Sequence, residues 1–496
     1  MTPPGHAPAR PHHNLTLAVL LLATLSYALQ QTLVSPALPA IQRDLNTSTT
    51  AVTYTLTAFL LSASVATPIA GRLGDMFGKK RMLVIALGVF AFGSLLCAFA
   101  PSIELLIAGR VVQGGGAAVF PLSFAIVRDE FPRERVPGAV GTLSATFGIG
   151  GGAGVVLSGV IVDHLSYEWV FRFGFLVVVA ALFMAWRFVP ESPVTSPAKI
   201  DWGGAVLMSG GLIALLVGVS EGNHWGWTDA RILGLFATSA ILLLGWGLFE
   251  YRHPQPLVDM AMMRERTVLT TNLAGVLVGF GMFSLFILVP QFVQAPESTG
   301  YGFGASVTEA GLFLLPATAV TLVAGPVAGW LGGRIGPQIP LAGGLLVALV
   351  AYVFLALEHS SATSILVATG LFGLGLGFAF ASMINVIIGA VEPTKTGVAT
   401  GMNTIMRTIG GSLGGQVAAA ILTGHLVNGY ASEHGFAVAF WVCAATVAGA
   451  FGVALLIPRQ KRSAEPEVAT GVPLVETETP TVPRVVGAVP PRRLAS

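Results

Sequence analysis

The 496-residue sequence contains few charged residues: Asp, Glu, Lys and Arg make up only 10% of it. An ordinary soluble domain has about a quarter. Hydrophobic residues make up 54%, the mean hydropathy is +0.77, and the formal net charge of +2 gives no electrostatic basis for binding a polyanion. The composition therefore excludes a soluble globular protein, a nucleic-acid-binding protein and a disordered chain.

Other features are also scarce. The two cysteines, Cys97 and Cys443, lie far apart in apolar runs, so neither a disulfide framework nor a metal centre is expected, and no cofactor is predicted. No GxxxxGK[ST] loop is present, which excludes an ATP-driven pump. A membrane-embedded enzyme or receptor is the rival class. An enzyme would need His, Asp, Glu or Cys to converge inside the apolar runs, and the sequence does not show this, so no enzyme is predicted.

Long apolar runs dominate the chain instead. A membrane helix needs about 20 mainly apolar residues, and strands would alternate polar and apolar positions, which these runs do not. The sequence therefore predicts an all-α membrane protein with fourteen transmembrane helices. The predicted spans are 15–36, 52–71, 82–100, 103–126, 139–162, 169–189, 202–221, 230–250, 267–292, 308–332, 340–357, 362–386, 397–424 and 436–458. The first run is too long, and its exit too poor a cleavage site, for a signal peptide.

The distribution of Lys and Arg predicts the orientation. These residues concentrate in the connections after every second span, and only Arg43, Arg172 and Arg231 fall in the others. By the positive-inside rule both termini are cytoplasmic in a multi-pass protein of the cell membrane. Residues 1–14 and 459–496 have no apolar period and are predicted to be disordered cytoplasmic tails.

An internal repeat predicts the architecture. The segment 141–154, GTLSATFGIGGGAG, matches 401–414, GMNTIMRTIGGSLG, at an offset of 260, and GRLGDMFG at 71–78 answers GWLGGRIG at 329–336. We therefore expect two pseudo-symmetric six-helix bundles, 15–189 and 267–458, joined by a linker, 190–266, with two inserted helices. Such paired bundles enclose a cleft near the membrane midplane and open it alternately to each side.

Several segments resemble the signatures of one family. The loop Gly71–Arg81 has glycines that permit a tight turn and an acidic residue, Asp75, at a helix end. This loop resembles the signature of the major facilitator superfamily, and the fourteen spans resemble its drug:proton antiporter branch of multidrug efflux proteins. Further matching segments are 29–39, 110–114, 132–135, 147–163 with 169–171, and 407–414.

The resemblance implies a secondary active exporter of lipophilic or amphipathic small molecules, such as drugs and antibiotics, by proton antiport. The expected partners are the substrate, protons and the lipid bilayer, with no nucleic acid, and the protein is expected to be a monomer. The alternative is a dedicated exporter of one metabolite or antibiotic, not coupled to protons. The resemblance also implies a cytoplasmic gate formed by Gly71, Asp75, Gly78, Lys79, Lys80, Arg81 and Arg135.

Arg110 lies inside an apolar run, where a charge is costly unless paired or hydrated. The resemblance ties the matching arginine to proton coupling, and the alternative is a structural role through hydrogen bonds to carbonyls. Gln30 stands where the family usually has an acidic residue, and glutamine cannot titrate. The proton route must then use Asp75, Glu309, or Arg110 with a bound water. Otherwise the substrate carries the charge change or transport is uncoupled.

The fifth span departs from the family pattern because Val155 follows Gly154 where a proline is usual. Gly150, Gly154 and Gly159 remain and predict close helix packing. Aromatic and methionine walls suit varied ligands, although packing within the bundle is the alternative role. With no carboxylate near the middle of a span, we expect neutral, weakly basic or amphipathic substrates rather than dications. The predicted substrate cleft comprises Tyr27, Gln30, Gln31, Phe59, Gln113, Phe283, Asn385, Asn403, Met406 and Arg407, the last with an alternative structural role.

Overall fold

The computed structural model describes residues 13–192, 201–427 and 429–458. All of the predicted C-terminal tail, most of the predicted N-terminal tail and part of the predicted linker therefore lie outside the described residues. His13 and Asn14 begin the first helix. Eight helices cover the first six predicted spans. They are α1 (His13–Thr32), α2 (Val34–Asp44), α3 (Thr49–Phe77), α4 (Lys79–Ala98), α5 (Ile103–Gly115), α6 (Val119–Glu130), α7 (Val136–His164) and α8 (Glu168–Phe188).

The remaining helices cover the inserted pair and the second half. They are α9 (Trp202–Trp225), α10 (Ala230–Arg252), the short α11 (Met260–Arg264), α12 (Arg266–Gln294), α13 (Val307–Ile335), α14 (Gln338–Leu357), α15 (Ala362–Ala390), α16 (Thr396–Gly424) and α17 (Glu433–Leu455). Two short strands, β1 (Leu426–Val427) and β2 (Tyr430–Ala431), form an antiparallel hairpin between α16 and α17.

Two predicted spans are each broken into two helices. Run 15–36 breaks at Leu33, since Pro36 in the first turn of α2 has no amide hydrogen to continue the ladder of α1. Run 103–126 breaks after Gly115, where Gly116 caps α5 and α6 starts again at Val119. Each pair of helices nevertheless forms one candidate membrane span, His13–Leu38 and Ile103–Glu130, as predicted.

Thirteen helical segments of the described chain are long and apolar enough to cross a membrane. The fourteenth predicted span, 397–424, is α16, whose 29 residues would extend about 44 Å. It is more polar than the others, and its buried Thr400, Asn403 and Arg407 lie within the protein. The fold is therefore an all-α membrane fold with two six-helix bundles and two inserted helices, as predicted.

The two halves meet along four helix pairs. Helix α7 of the first half packs against α13 and α15 of the second, and α3 and α6 pack against α16. The inserted α9 packs on both α3 and α16 and pairs with α10, whose surface is largely exposed. We call the contact region between the two halves the seam. A central site would lie in the interior of the protein along this seam.

Candidate functional site

A cavity of about 210 Å³ lies between the two halves. It is bordered by α1, α2, α3, α5 and α7 of the first half and by α12 of the second. Apart from Arg110, the described lining residues carry no charge. They are Ala28, Gln31, Thr32, Ser35, Leu56, Phe59, Leu60, Arg110, Phe147, Gly151, Val155, Met282, Phe283, Phe286 and Ile287.

Arg110 is fully buried at the wall of this cavity. Its Nε donates to the Thr55 carbonyl at 3.0 Å and its Nη1 donates to Gln113 Oε1 at 2.7 Å. The guanidinium carbon lies 4.1 Å from the centre of the Phe59 ring, a cation–π contact. Nη2 has no hydrogen-bond partner among the described residues, and no described carboxylate forms an ion pair with Arg110.

A buried amide network holds Arg110 in place. Gln113 Nε2 donates to Gln30 Oε1 at 2.6 Å and to Ser94 Oγ at 2.8 Å. Tyr27 packs against Phe59, with ring centres 5.7 Å apart. Gln30, Gln113 and Tyr27, predicted in the cleft, therefore lie behind its wall and support the residues that line it.

Arg407 is the second buried arginine of the interior. Its guanidinium carbon lies 4.8 Å from the Phe147 ring centre and 4.5 Å from that of Phe380, and its Nη1 has no hydrogen-bond partner in the described chain. Phe147 lines the cavity, so Arg407 lies behind an aromatic ring that forms part of the cavity wall. Asn403, one turn away, donates to Asn272 Oδ1 at 3.1 Å and does not line the cavity.

The other predicted cleft and coupling residues lie elsewhere. Asn385 donates to the Pro137 carbonyl at 3.3 Å across the seam between the halves. Met406 packs in an apolar cluster with Met208 of the inserted α9. Glu309 is exposed and forms a capping box with Ser306 at the start of α13, which does not bring it to Arg110.

We call the end of the bundle that carries Asp75, Lys79 and Arg128 the basic end. Helix α3 runs to Phe77 and α4 starts at Lys79, so the predicted loop reduces to Gly78, with φ of 105°. Asp75 therefore lies in the last turn of α3, fully buried, and not in a loop. Its Oδ2 accepts a hydrogen bond from the Val398 amide, in the first turn of α16, at 3.3 Å. The N-terminal end of a helix favours negative charge, which suits a carboxylate at this position. Because α3 and α16 belong to different halves, the hydrogen bond links the two halves.

Close backbone approach accompanies this contact. A Cβ atom on Gly71 would lie 2.8 Å from the carbonyl oxygen of Gly397 in the other half. A side chain at this position would push α3 and α16 apart. Gly71 therefore permits the approach that places Asp75 at the start of α16.

Two contributors to the basic end were missed from the sequence. Asp129 forms a buried ion pair with Lys79, which also lies 3.9 Å from Asp75 Oδ1. Arg128 donates across the seam to the carbonyls of Val391 at 2.6 Å and Glu392 at 3.2 Å. Both residues end an apolar run, where charged residues ordinarily mark the membrane boundary, so nothing in the sequence distinguishes them as contacts between the halves.

The remaining predicted gate residues surround this contact. The Lys80 amide donates to Glu191 Oε1 at 3.1 Å. Arg81 and Arg135 are exposed, and Arg135 precedes the first residue of α7. The structure thus brings Gly71, Asp75 and Lys79 together at the seam, but it leaves Arg81 and Arg135 at the surface.

The predicted packing glycines lie along α7. Gly150 and Gly154 face α1, where a Cβ would overlap Ala28 and Thr32 respectively, and the Thr32 hydroxyl donates to the Gly150 carbonyl at 2.5 Å. Gly159 faces Thr308 of α13. The glycines therefore bring α7 close to helices of both halves beside the cavity.

A membrane fold of two helical bundles, with a cavity between them and contacts that close one end, is that of a secondary transporter. The family model described as Major Facilitator Superfamily matches residues 20–415, and the chain belongs to this family.

Similar proteins include the Tetracenomycin C resistance and export protein of Streptomyces glaucescens, 31% identical over 391 residues, which cover 77% of this chain and 71% of that protein. Multidrug resistance protein 3 of Bacillus subtilis (strain 168) is 29% identical over 388 residues, covering 77% of this chain and 74% of the relative. The crystal structure of the human organic anion transporter MFSD10 (TETRAN) shares the fold, with a TM-score of 0.64 and 17% identity over 90% of this chain and all of that one.

Proposed function

We propose that the protein exports lipophilic or amphipathic small molecules across the plasma membrane by alternating access, driven by proton antiport. The basic end and both termini face the cytoplasm in this proposal, as the Lys and Arg distribution predicts. The observation that carries it is the cavity between the halves, with apolar walls and a single lining charge, closed off from the basic end. The names of the relatives from Streptomyces and Bacillus support export of drug-like compounds.

The cavity belongs to one chain, and both halves that enclose it come from that chain. The transporter is therefore proposed to act as a monomer. Phe283, Phe286 and Met282 give one side of the cavity a pliable apolar surface that accepts differently shaped ligands.

For coupling, we assign Arg110 as the group at the cavity that responds to the bound ligand and Asp75 as the group that responds to closure at the basic end. Arg110 contacts the cavity directly, whereas Asp75 contacts the second half. The capping-box contacts of Glu309 favour a structural role for that residue.

The test is transport into inside-out membrane vesicles, with and without an imposed pH gradient, over a panel of lipophilic compounds. We expect gradient-dependent uptake by wild type and its loss in Arg110→Ala at normal expression. Arg172→Ala is the matched control, because Arg172 is a second arginine within a membrane helix and does not line the cavity. Near-normal uptake by Arg110→Ala would refute the role of Arg110.

A second function keeps the fold but removes the coupling: a dedicated exporter of a single compound, not driven by protons. The observation that favours it is that no carboxylate is among the described residues lining the cavity, so no acidic side chain there can carry a proton. Uptake that is equal with and without the gradient, and limited to one compound of the panel, would establish this alternative.

A further inference from the structure

We propose that the preferred substrates are amphipathic organic acids, whose carboxylate or phenolate pairs with Arg110 while an aromatic or aliphatic body rests against the phenylalanine wall of the cavity. This inference rests on the proposed export function and specifies the chemical class of the exported compound.

The first argument is uncompensated positive charge. Arg110 and Arg407 are 0% and 5% exposed, and each has a buried guanidinium nitrogen without a hydrogen-bond partner in the described chain. None of the ion pairs formed by described residues includes either arginine. A buried charge without a counter-ion is costly in a low-dielectric interior, and an anion entering the cavity offsets that cost.

The second argument is access. Arg110 lines the cavity, and its Nε and Nη1 are already bound to Thr55 and Gln113, so the unpartnered Nη2 is the nitrogen left for a ligand. Arg407 lies behind Phe147 and does not line the cavity. It adds positive potential behind the aromatic wall, so Arg110 binds the acid and Arg407 strengthens the field around it.

The third argument is the distribution of polarity. On the α1 and α2 side, the cavity offers the amide of Gln31 and the hydroxyls of Thr32 and Ser35. On the α12 side it offers Met282, Phe283 and Phe286. A ligand with a polar acidic end and an apolar body matches both sides, whereas a cationic ligand would meet Arg110 without a carboxylate to balance it.

Three compounds with the same two-ring body test the charge preference: naphthaleneacetate, naphthaleneacetamide and naphthylethylamine. Binding of each is measured by equilibrium dialysis to the purified full-length protein in detergent at pH 7, where the acid is ionised. We expect the acetate to bind at least about tenfold more tightly than the acetamide, which corresponds to about 1.4 kcal/mol, and the amine to bind most weakly.

Arginine variants test which residue causes the tighter binding of the acetate. Arg110→Gln should reduce the advantage of the acetate over the acetamide to within about twofold, and Arg407→Gln should reduce it partly. Arg110→Lys should retain part of the advantage, because the charge remains while the planar donor geometry is lost. Arg172→Gln, which changes a partly buried arginine near the start of α8 that does not line the cavity, should retain all of it.

Equal binding of acetate and acetamide to wild type, or tightest binding of the amine, would overturn the proposal even if an arginine variant failed to fold. An acid preference that survives in both Arg110→Gln and Arg407→Gln would overturn it too. Vesicle uptake of the amide and the amine but not of the acid would support the export function and would refute the proposed preference for acidic substrates. Binding of the acetate with no uptake of any compound would reject export and retain the anion site.

Discussion

Asp75 places a buried carboxylate at the start of a helix that belongs to the other half. Its hydrogen bond to the Val398 amide stabilises the contact at the basic end, and Gly71 provides the room for it. A hydrogen bond to a charged group contributes about 1.5–3 kcal/mol, so the charge of Asp75 is large enough to affect the balance between closed and open states.

We expect Asp75→Asn to slow transport by about tenfold and to change substrate affinity by less than about twofold, since the residue contacts the seam and not the cavity. Turnover and affinity are measured separately, by uptake into vesicles and by binding to purified protein. Glu104→Gln, an exposed carboxylate at the other end of the bundle, serves as the control and should change neither. Unchanged turnover with weakened binding would contradict this role.

Gln30 occupies a position where a carboxylate would change the charge of the site. Its Oε1 accepts from Gln113, which in turn accepts from Arg110, so a glutamate there would lie two hydrogen bonds from the guanidinium. We expect Gln30→Glu to introduce a titrating group, so that uptake of a neutral substrate gains a pH-dependent limb that wild type lacks. Gln30→Asn is the control without a charge. A pH profile that does not move would reject the prediction.

Lys395 and Asp259 form an ion pair between the start of α16 and the start of α11, with their atoms 2.8 Å apart. Burial raises the pKa of Asp259, but hydrogen bonds from Lys395 and from the Met262 and Ala261 amides outweigh it and hold the pKa below its ordinary 3.8. The hydrogen bond to Asp259 raises the pKa of Lys395 above its ordinary 10.5. The contribution of Asp259 is lost as pH falls through its lowered pKa, and that of Lys395 is lost as pH rises through its raised pKa.

The pair should therefore contribute a constant amount to stability between about pH 5 and pH 9. With both side chains about a third exposed, we expect roughly 0.2–1 kcal/mol. Lys395→Met should lower the thermal midpoint by the same small amount at every pH in this window, and the difference should shrink below about pH 4. A difference that changes between pH 6 and pH 8 would show that another group titrates with the pair.

Among the elements, the inserted helix α9 contacts both halves. Ser220 lies 3.2 Å from the Thr57 hydroxyl of α3, and Asn223 donates to Gln416 Oε1 of α16 at 2.8 Å. If the halves rock against each other, α9 cannot keep both contacts through the cycle. The inserted pair of helices then moves together with one half, and the contact of α9 with the other half breaks during the cycle.

Cysteine pairs test this movement. Oxidation of Thr57→Cys with Ser220→Cys, or of Asn223→Cys with Gln416→Cys, fixes α9 to one half. We expect each single cross-link to retain transport and both together to abolish it, with recovery after reduction. Full transport by the doubly cross-linked protein would contradict a release of α9.

Most of the helices could be predicted from the sequence, but the interruptions within them could not. Spans were predictable because each is a long apolar run, and even α16 was found despite its polar residues. The breaks at Leu33 and Gly116 were not found, because a proline or glycine breaks some membrane helices and not others, depending on which neighbours satisfy the backbone. Arg110 was found as a charge inside an apolar run, whereas Phe147 gave no signal because a phenylalanine there is ordinary.

For the whole molecule, the contacts at the basic end and the cavity on the other side describe one state of an alternating cycle. Asp75, Arg128 and Asn385 each bond across the seam at or toward the basic end, while the cavity is lined by Ser35 and Leu56, which lie toward the other end. The three contacts therefore favour the state in which the cavity is separated from the basic end.

Arg128→Ala removes two hydrogen bonds to carbonyls of the second half, about 1 kcal/mol each, and should shift the population toward opening at the basic end. The reporter is Ser35→Cys, an exposed residue of the cavity lining, labelled by a membrane-impermeant maleimide. In right-side-out vesicles we expect labelling to slow at least about threefold when Arg128→Ala is added, as the outward-facing population falls.

Glu297→Cys, in the turn after α12, provides the matched control at the same end of the bundle, and its labelling should not respond to Arg128→Ala. Inside-out vesicles test the orientation at the same time, since Ser35→Cys should then be labelled slowly in the otherwise wild-type protein. Faster labelling of Ser35→Cys from the cytoplasmic face in the otherwise wild-type protein would reverse the proposed orientation. An unchanged rate in right-side-out vesicles would show that Arg128 does not hold the closed end together, because removal of a contact specific to one state must change the balance between states.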